Sequence, residues 1–149
     1  MACYRHILVA VDGSPDADAA LLHAAALARD QNALLTLLTV ASTGSPTPVG
    51  PGTGVPADPV DLHGKILRQA TDSLPDDVGV TTRLERGDPA AAIIRVADEG
   101  QHDLIVMGSH GHSRFRRALL GSVSERVLAD SRIPVLLMRS AIEASPAPE

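Results

Sequence analysis

The chain has 149 residues, of which 44% are hydrophobic and 21% charged, which suffices for one soluble domain with a buried core. Its formal net charge of -5 argues against a general nucleic-acid binder, because binding a phosphate backbone requires a surplus of Lys and Arg. The single cysteine, Cys3, allows no intrachain disulfide, and no apolar run approaches the roughly 20 residues that cross a bilayer, so we expect a cytoplasmic protein without a membrane span.

Four continuous apolar runs predict β-strands that are buried on both faces, as in a parallel sheet covered by helices. A fifth run, 78–85, alternates apolar and polar residues, which indicates one solvated face and a position at or near a sheet edge. In chain order the predicted strands cover residues 6–11, 34–40, 78–85, 103–107 and 134–138.

Segments with apolar residues at helical spacing lie between these strands and predict four helices. Ser14 and Pro15 are the N-cap and first residue of the first helix, which is a favoured pair, and Asp88 is the candidate N-cap of the third. The predicted helices cover residues 15–30, 58–74, 89–98 and 122–130.

Strands that alternate with helices predict a doubly wound α/β domain, which we assign to residues 1–140. Residues 41–57 are rich in Gly, Pro, Ser and Thr, so we expect a flexible loop there. We expect residues 141–149 to form a flexible C-terminal tail.

The segment after the fourth strand carries the pattern G-x2-G-x9-G-[ST], formed by Gly108, Gly111, Gly121 and Ser122. Glycine lets a backbone approach a ligand closely, and the N–H groups at a helix start favour an anion. Ser122 can add a hydroxyl donor, as can Ser124. The pattern therefore predicts a phosphate site that is built largely from backbone.

Two structural explanations of this pattern need no ligand. Gly108 can simply end a strand. Ser122 and Glu125 match the S-x-x-E capping box, in which the two side chains satisfy the amides of the helix start.

A strand order of 3-2-1-4-5 would place the reversal of order between the first and fourth strands, where open α/β sheets bind ligands. The polar segments 12–14 and 108–111 would then face one crevice. Because Ser14 already caps the helix, the carboxylate of Asp12 would be available to a ribose or a base. The alternative is that Asp12 holds its own turn.

At these residues the chain resembles the universal stress protein family. The match runs from ILVAVDGS (7–14) through GDPAAAIIRVADEGQHDLIVMGSHG (87–111) and LLGSVSERVL (119–128) to PVLLMR (134–139). Within this family the complete glycine motif separates members that bind ATP from members that do not. The resemblance implies a five-stranded parallel sheet in the order 3-2-1-4-5, with helices on both faces, as in the adenine nucleotide alpha hydrolase-like fold.

The resemblance also implies where each part of ATP would lie. Adenine would lie near Asp12 and the backbone of Val40, in a pocket lined by Ala10, Val11 and Met107. The ribose and the first phosphate would lie near two of the motif glycines, and the outer phosphates would reach the start of the last helix. The residues implied on the phosphate side are Gly108, Gly111, Gly121, Ser122, Val123 and Ser124.

Two histidines flank Gly111 in the same segment. His110 and His112 are candidates to donate hydrogen bonds to the nucleotide or to bind a metal that accompanies it; the alternative is that they are exposed loop residues. We expect ATP as the ligand, with Mg²⁺ as a candidate companion and AMP or a cyclic nucleotide as alternatives.

Three functions agree with these observations. The first is a nucleotide-responsive regulator or binding module in a stress response; the second is a weak ATPase or nucleotide-dependent enzyme; the third is a nucleotide-free interaction protein. Neither a P-loop nor a serine-hydrolase motif is present, and we assign no catalytic residue. The family usually forms homodimers, and an apolar last strand can pair across a two-fold axis through Pro134, Val135, Leu136, Leu137 and Met138.

Overall fold

The computed structural model describes residues 3–42, 59–110 and 121–140, which form a five-stranded sheet. The strand order is β3-β2-β1-β4-β5 and every pairing between neighbours is parallel, so the predicted α/β fold and its topology are confirmed. The strands are β1 (His6–Ala10), β2 (Leu34–Ala41), β3 (Val80–Arg86), β4 (Leu104–Gly108) and β5 (Val135–Met138).

Four helices connect the strands and cover both faces of the sheet. One face packs against the first two helices and the other against the last two. The helices are α1 (Pro15–Gln31), α2 (Pro59–Asp72), α3 (Pro89–Glu99) and α4 (Ser122–Asp130). All four predicted helices are present, and the last has the predicted bounds.

The core divides along the alternation of the central strand. Ile7 and Val9 lie in the cluster with α1 and α2, whereas Leu8 lies with α3 and α4, and all three are 0% exposed. This is the burial expected of a parallel strand that is covered on both faces. β3, which the alternating pattern places at an edge, is an edge strand with partly exposed residues.

A network of hydrogen-bonded polar side chains lies near the side of the sheet where the parallel strands begin, which we call the amino edge. Thr36 Oγ1 lies 2.8 Å from His6 Nε2 and 2.9 Å from His102 Nε2, and the two imidazole rings are 3.8 Å apart. His102 Nδ1 lies 3.3 Å from the carbonyl oxygen of Ala97. In the neutral His102 ring, Nδ1–H donates to that carbonyl, and Nε2 accepts the Thr36 hydroxyl proton.

Several predicted segments fall partly or wholly outside the described residues. Ala41, the first residue of the predicted loop 41–57, is in fact the last residue of β2, where it pairs with Arg86. Residues 43–58, 111–120 and 141–149 lie outside the described part of the chain. Within the described ranges no helix combines the length and apolarity needed to cross a membrane.

Candidate functional site

The strand order reverses between β1 and β4. The segments that follow these two strands therefore flank one crevice at the side of the sheet where the parallel strands end, which we call the carboxyl edge. The start of α4 joins them there, because the N–H of Gly121 donates to the carbonyl oxygen of Ser109 over 2.7 Å. The structure therefore holds the start of α4 against the end of β4, while the turn at Asp12 follows the neighbouring strand β1.

The start of α4 differs from those of α1 and α3. Ser14 Oγ accepts from the N–H of Ala17 at 3.2 Å, and Asp88 Oδ2 accepts from the N–H of Ala91 at 3.0 Å. At α4 the N-cap is Gly121, which has no side chain to accept a hydrogen bond, and no other described side chain caps this helix. The first N–H groups of a helix have no partner within the helix, and its dipole favours an anion beside them.

The capping-box explanation of the motif is wrong. Ser122 is the first residue of α4 and not its N-cap, so it cannot form the box with Glu125. The side chain of Ser122 is exposed. Its hydroxyl therefore remains accessible at the start of α4.

Ser124 has a structural role that the sequence did not reveal. It is 2% exposed, and its Oγ lies 3.0 Å from the Gly108 carbonyl oxygen and 2.9 Å from that of Ser109. The hydroxyl proton is thus donated within the protein. Ser124 fixes the first turn of α4 against the end of β4, and its expected role toward a ligand stays a prediction.

Packing also constrains both described motif glycines, and Gly108 more tightly than Gly121. A Cβ on Gly108 would lie 2.8 Å from the backbone nitrogen of Ala17 and from Asp16 Cβ, and a Cβ on Gly121 would lie 3.2 Å from the Ser109 carbonyl oxygen. Gly108 therefore does more than end a strand. Its missing side chain lets α1 begin directly against β4, which brings the two walls of the crevice together.

Asp12 holds its own turn, which is the alternative that the sequence left open. Its Oδ1 accepts from the N–H of Ser14 at 2.9 Å, and Gly13 between them has a left-handed φ of +80°. One carboxylate oxygen is thus engaged in the turn. The carboxylate still lies at the carboxyl edge, where α2 meets it.

His63 on α2 lies at the same edge, although no partner for it was predicted from the sequence. Its Nδ1 lies 3.0 Å from Thr39 Oγ1. Burial lowers the pKa of His63, and the negative charge of Asp12 offsets part of that effect. The available signal was its spacing, since His63 continues the buried helical stripe of Leu67 and Ala70.

The residues expected around the base divide between the two faces of the sheet. Ala10, Val40 and Met107 lie in the cluster with α3 and α4, which Val123 also contacts. Val11 lies in the opposite cluster, and its N–H donates to the Leu38 carbonyl oxygen at 2.8 Å. Its side chain is therefore separated from the other three by the sheet.

A buried carboxylate lies behind the segment 108–110. Asp16 Oδ2 accepts from Ser109 Oγ at 2.9 Å and lies 3.4 Å from His110 Nδ1, while Oδ1 accepts from the N–H of Ser140 at 2.7 Å. Burial raises the pKa of Asp16, but these hydrogen bonds and the nearby imidazole outweigh it and hold the pKa below its usual value. Asp16 is therefore a carboxylate at neutral pH.

Gly111 and His112 lie outside the described residues, so their predicted roles remain expectations. His110 Nδ1 lies 2.8 Å from Ser109 Oγ, beside Asp16. Across the parts of the chain that the structure describes, no group of three or more His, Cys, Asp or Glu residues could hold a metal ion.

The sequence model of the universal stress protein family matches residues 3–139 of the chain. The chain belongs to this family. Universal stress protein YxiE of Bacillus subtilis is 35% identical over 150 residues, covering 91% of this chain and 99% of its own length. Universal stress protein MJ0531 of Methanocaldococcus jannaschii is 31% identical over 146 residues, covering 91% and 82%.

Solved structures of universal stress proteins share the fold. UspA from Lactobacillus plantarum superposes with a TM-score of 0.72 at 28% identity, covering 93% of this chain and all of its own. A universal stress protein solved in complex with cAMP superposes with a TM-score of 0.71 at 28% identity, covering 94% of this chain and all of its own.

Proposed function

We propose that this universal stress protein binds an adenine nucleotide at the carboxyl edge of its sheet, between β1 and β4, and that the nucleotide is ATP. The proposal depends mainly on the uncapped first turn of α4. No described side chain caps it, and it is held against the end of β4 at the point where the strand order reverses. Backbone N–H groups in that position suit phosphate oxygens.

The base side of the site supports the same ligand. Ala10 and Val40 from the strands and Val123 from α4 are partly buried apolar residues that pack against the cluster containing Met107. An apolar wall beside a row of backbone donors suits a molecule with a flat base at one end and phosphates at the other. The cAMP complex of a structural relative is a precedent for an adenine nucleotide on this fold.

We assign to the bound nucleotide a regulatory role in the cytoplasm. ATP carries its own Mg²⁺ through the phosphates, so the protein need not supply a complete set of metal ligands. We place the homodimer contact at β5, an edge strand whose residues are all half-buried. Pairing across a two-fold axis would cover that edge.

The test compares Ser122→Asp with Ser122→Asn by calorimetric titration of ATP, AMP and cAMP. The two side chains match in shape, and only Asp adds a negative charge beside the proposed phosphates. We expect ATP to bind Ser122→Asp at least about tenfold more weakly than Ser122→Asn, equivalent to about 1.4 kcal/mol. An acidic residue in a first helical turn favours folding, so lost stability would not explain the difference.

Equal ATP affinities in the two variants would show that the phosphates lie elsewhere. Absence of ATP binding to the wild type, together with no nucleotide in the denatured purified protein by mass spectrometry, would favour the nucleotide-free interaction protein. Release of phosphate under multiple-turnover conditions would favour the weak ATPase.

A further inference from the structure

We propose that Asp16 is a positioning residue for the nucleotide site, joining the segment that holds the phosphates to the chain at Ser140, directly beyond β5. The inference rests on the proposed function, since it concerns how the same site is held and regulated. It assigns Asp16 no contact with the ligand.

The two oxygens of one rigid carboxylate make the connection. Oδ1 accepts from the N–H of Ser140 at 2.7 Å, and Oδ2 accepts from Ser109 Oγ at 2.9 Å. Both Asp16 and Ser109 are almost fully buried, at 6% and 2% exposure. Because hydrogen bonds to a buried carboxylate are strong and directional, a displacement of Ser140 is transmitted to Ser109.

Ser109 carries the connection onward to α4. Its carbonyl oxygen accepts from the N–H of Gly121 at 2.7 Å and from Ser124 Oγ at 2.9 Å. These are the bonds that hold the first turn of α4 against β4. A continuous path of hydrogen bonds, each no longer than 2.9 Å, therefore runs from Ser140 through Asp16 and Ser109 to the proposed phosphate donors.

Asp16 packs closely against the end of β4. Asp16 lies in the first turn of α1, and its Cβ occupies the space that a side chain at position 108 would need. The end of β5 is held independently, because the N–H of Ser109 donates to the carbonyl oxygen of Met138 at 3.0 Å. The segment 138–140 is thus bonded to Ser109 both directly and through Asp16.

This arrangement predicts that nucleotide binding and the order of the chain at Ser140 are linked. A ligand that fixes the first turn of α4 also fixes Ser109, and through Asp16 it slows opening at Ser140. Linkage is reciprocal, so loosening Ser140 must weaken ligand binding by the same factor.

The test compares Asp16→Asn with Asp18→Asn, using ATP as the probe and the full-length chain. Both substitutions remove one carboxylate from the first turn of α1, but Asp18 is exposed. We expect Asp16→Asn to bind ATP about tenfold more weakly than the wild type, the loss typical of a weakened hydrogen bond to a charged group. Asp18→Asn should stay within about twofold.

Ser140→Pro tests the other end of the path, because proline has no N–H to donate to Asp16. We expect a similar loss of ATP affinity. Hydrogen exchange then separates positioning from simple destabilisation: saturating ATP should slow amide exchange at residue 140 in the wild type and in Asp18→Asn, but not in Asp16→Asn.

Two failures are distinguishable. If the wild type does not bind ATP, the proposed function fails. If the wild type binds ATP and Asp16→Asn binds it equally well, or if ATP slows exchange at residue 140 in Asp16→Asn as much as in the wild type, the site stands and the role of Asp16 is refuted.

Discussion

The amino edge and the carboxyl edge, which lie at the two ends of the parallel strands, use their polar groups differently. Near the amino edge, His6 and His102 each share a hydrogen bond with Thr36, and His102 also bonds to the carbonyl oxygen of Ala97. At the carboxyl edge, the start of α4 has Gly121 as its N-cap and no cap from any described side chain. These histidines therefore have partners within the protein, whereas the uncapped start of α4 beside the strand-order reversal is where we propose the ligand site.

The carboxyl edge also differs in how closely its elements approach. Gly108 lies against the first turn of α1, and Gly121 lies against Ser109. The amino edge reaches a comparable closure with side chains, through imidazole rings 3.8 Å apart. Both edges therefore use paired side chains, and the carboxyl edge depends in addition on two positions without side chains.

The largest effect should come from filling the space at the carboxyl edge. Gly108→Ala places Cβ 2.8 Å from the backbone of α1, so we expect a loss of about 3 kcal/mol in the free energy of unfolding. Gly121→Ala meets its neighbours only at 3.2 Å and should lose about 1 kcal/mol. Urea denaturation measures both, and equal losses would show that the two glycines are under the same packing constraint.

The next largest effect should be the stabilisation of the folded protein by ATP, which we expect to depend on the carboxyl edge and not on the amino edge. ATP at about one hundred times its dissociation constant adds about 2.7 kcal/mol to the apparent stability of a protein that binds it only when folded. Thermal denaturation with and without ATP should show this gain in the wild type and in His102→Gln. Loss of the gain in His102→Gln would mean that the two edges are coupled and the contrast between them is incomplete.

A smaller effect should follow from protons at the amino edge. Burial and the adjacent His6 lower the pKa of His102, so the unfolded chain takes up a proton at a higher pH than the folded protein. The contribution of neutral His102 to the free energy of unfolding is therefore fully present above about pH 6.5. It falls as the pH drops below that value, by at most about 1.4 kcal/mol per pH unit for each such histidine.

Chemical denaturation between pH 5 and 8 tests that expectation, and His102→Gln should flatten the pH profile. His63, whose pKa is also lowered, leaves a residual slope of the same sign. The exposed His23 supplies the control, since His23→Gln should retain the full wild-type slope. A steeper profile in His102→Gln would contradict the role of burial.

The smallest expected effect concerns the charge of Asp12. Its carboxylate partly offsets the effect of burial on His63, so Asp12→Asn should lower the pKa of His63 further. NMR titration of the imidazole measures this shift directly. An unchanged pKa would mean that the charge of Asp12 does not act on His63.

Local patterns were sufficient to predict most of the fold. Continuous apolar runs identified the buried strands, alternation placed β3 at an edge, and Ser14 and Asp88 were recognised as helix caps. These features depend on neighbours within a few residues. The bounds of α4 were predicted for the same reason. Its N-cap was not, because the capping-box explanation assigned that role to Ser122, whereas the N-cap is Gly121.

The site was only partly predictable, because several of its contacts join distant parts of the chain. Asp16 meets Ser109 across 93 residues and Ser140 across 124. No local pattern distinguishes it from Asp18, two residues later in the same helix. Ser124 was assigned to the ligand because its motif position was visible, while its bonds to the end of β4 were not.

Ser109 uses its amide, its hydroxyl and its carbonyl on three different elements, namely β5, α1 and α4. The amide and carbonyl bonds come from the backbone and are available to any residue except proline, so a substitution at this position acts on the hydroxyl bond to Asp16. Threonine would keep the hydroxyl but bring an extra methyl group into a space with 2% exposure, and alanine would leave the buried carboxylate short of a donor. We expect serine to be the residue that related sequences of this architecture retain there most strictly.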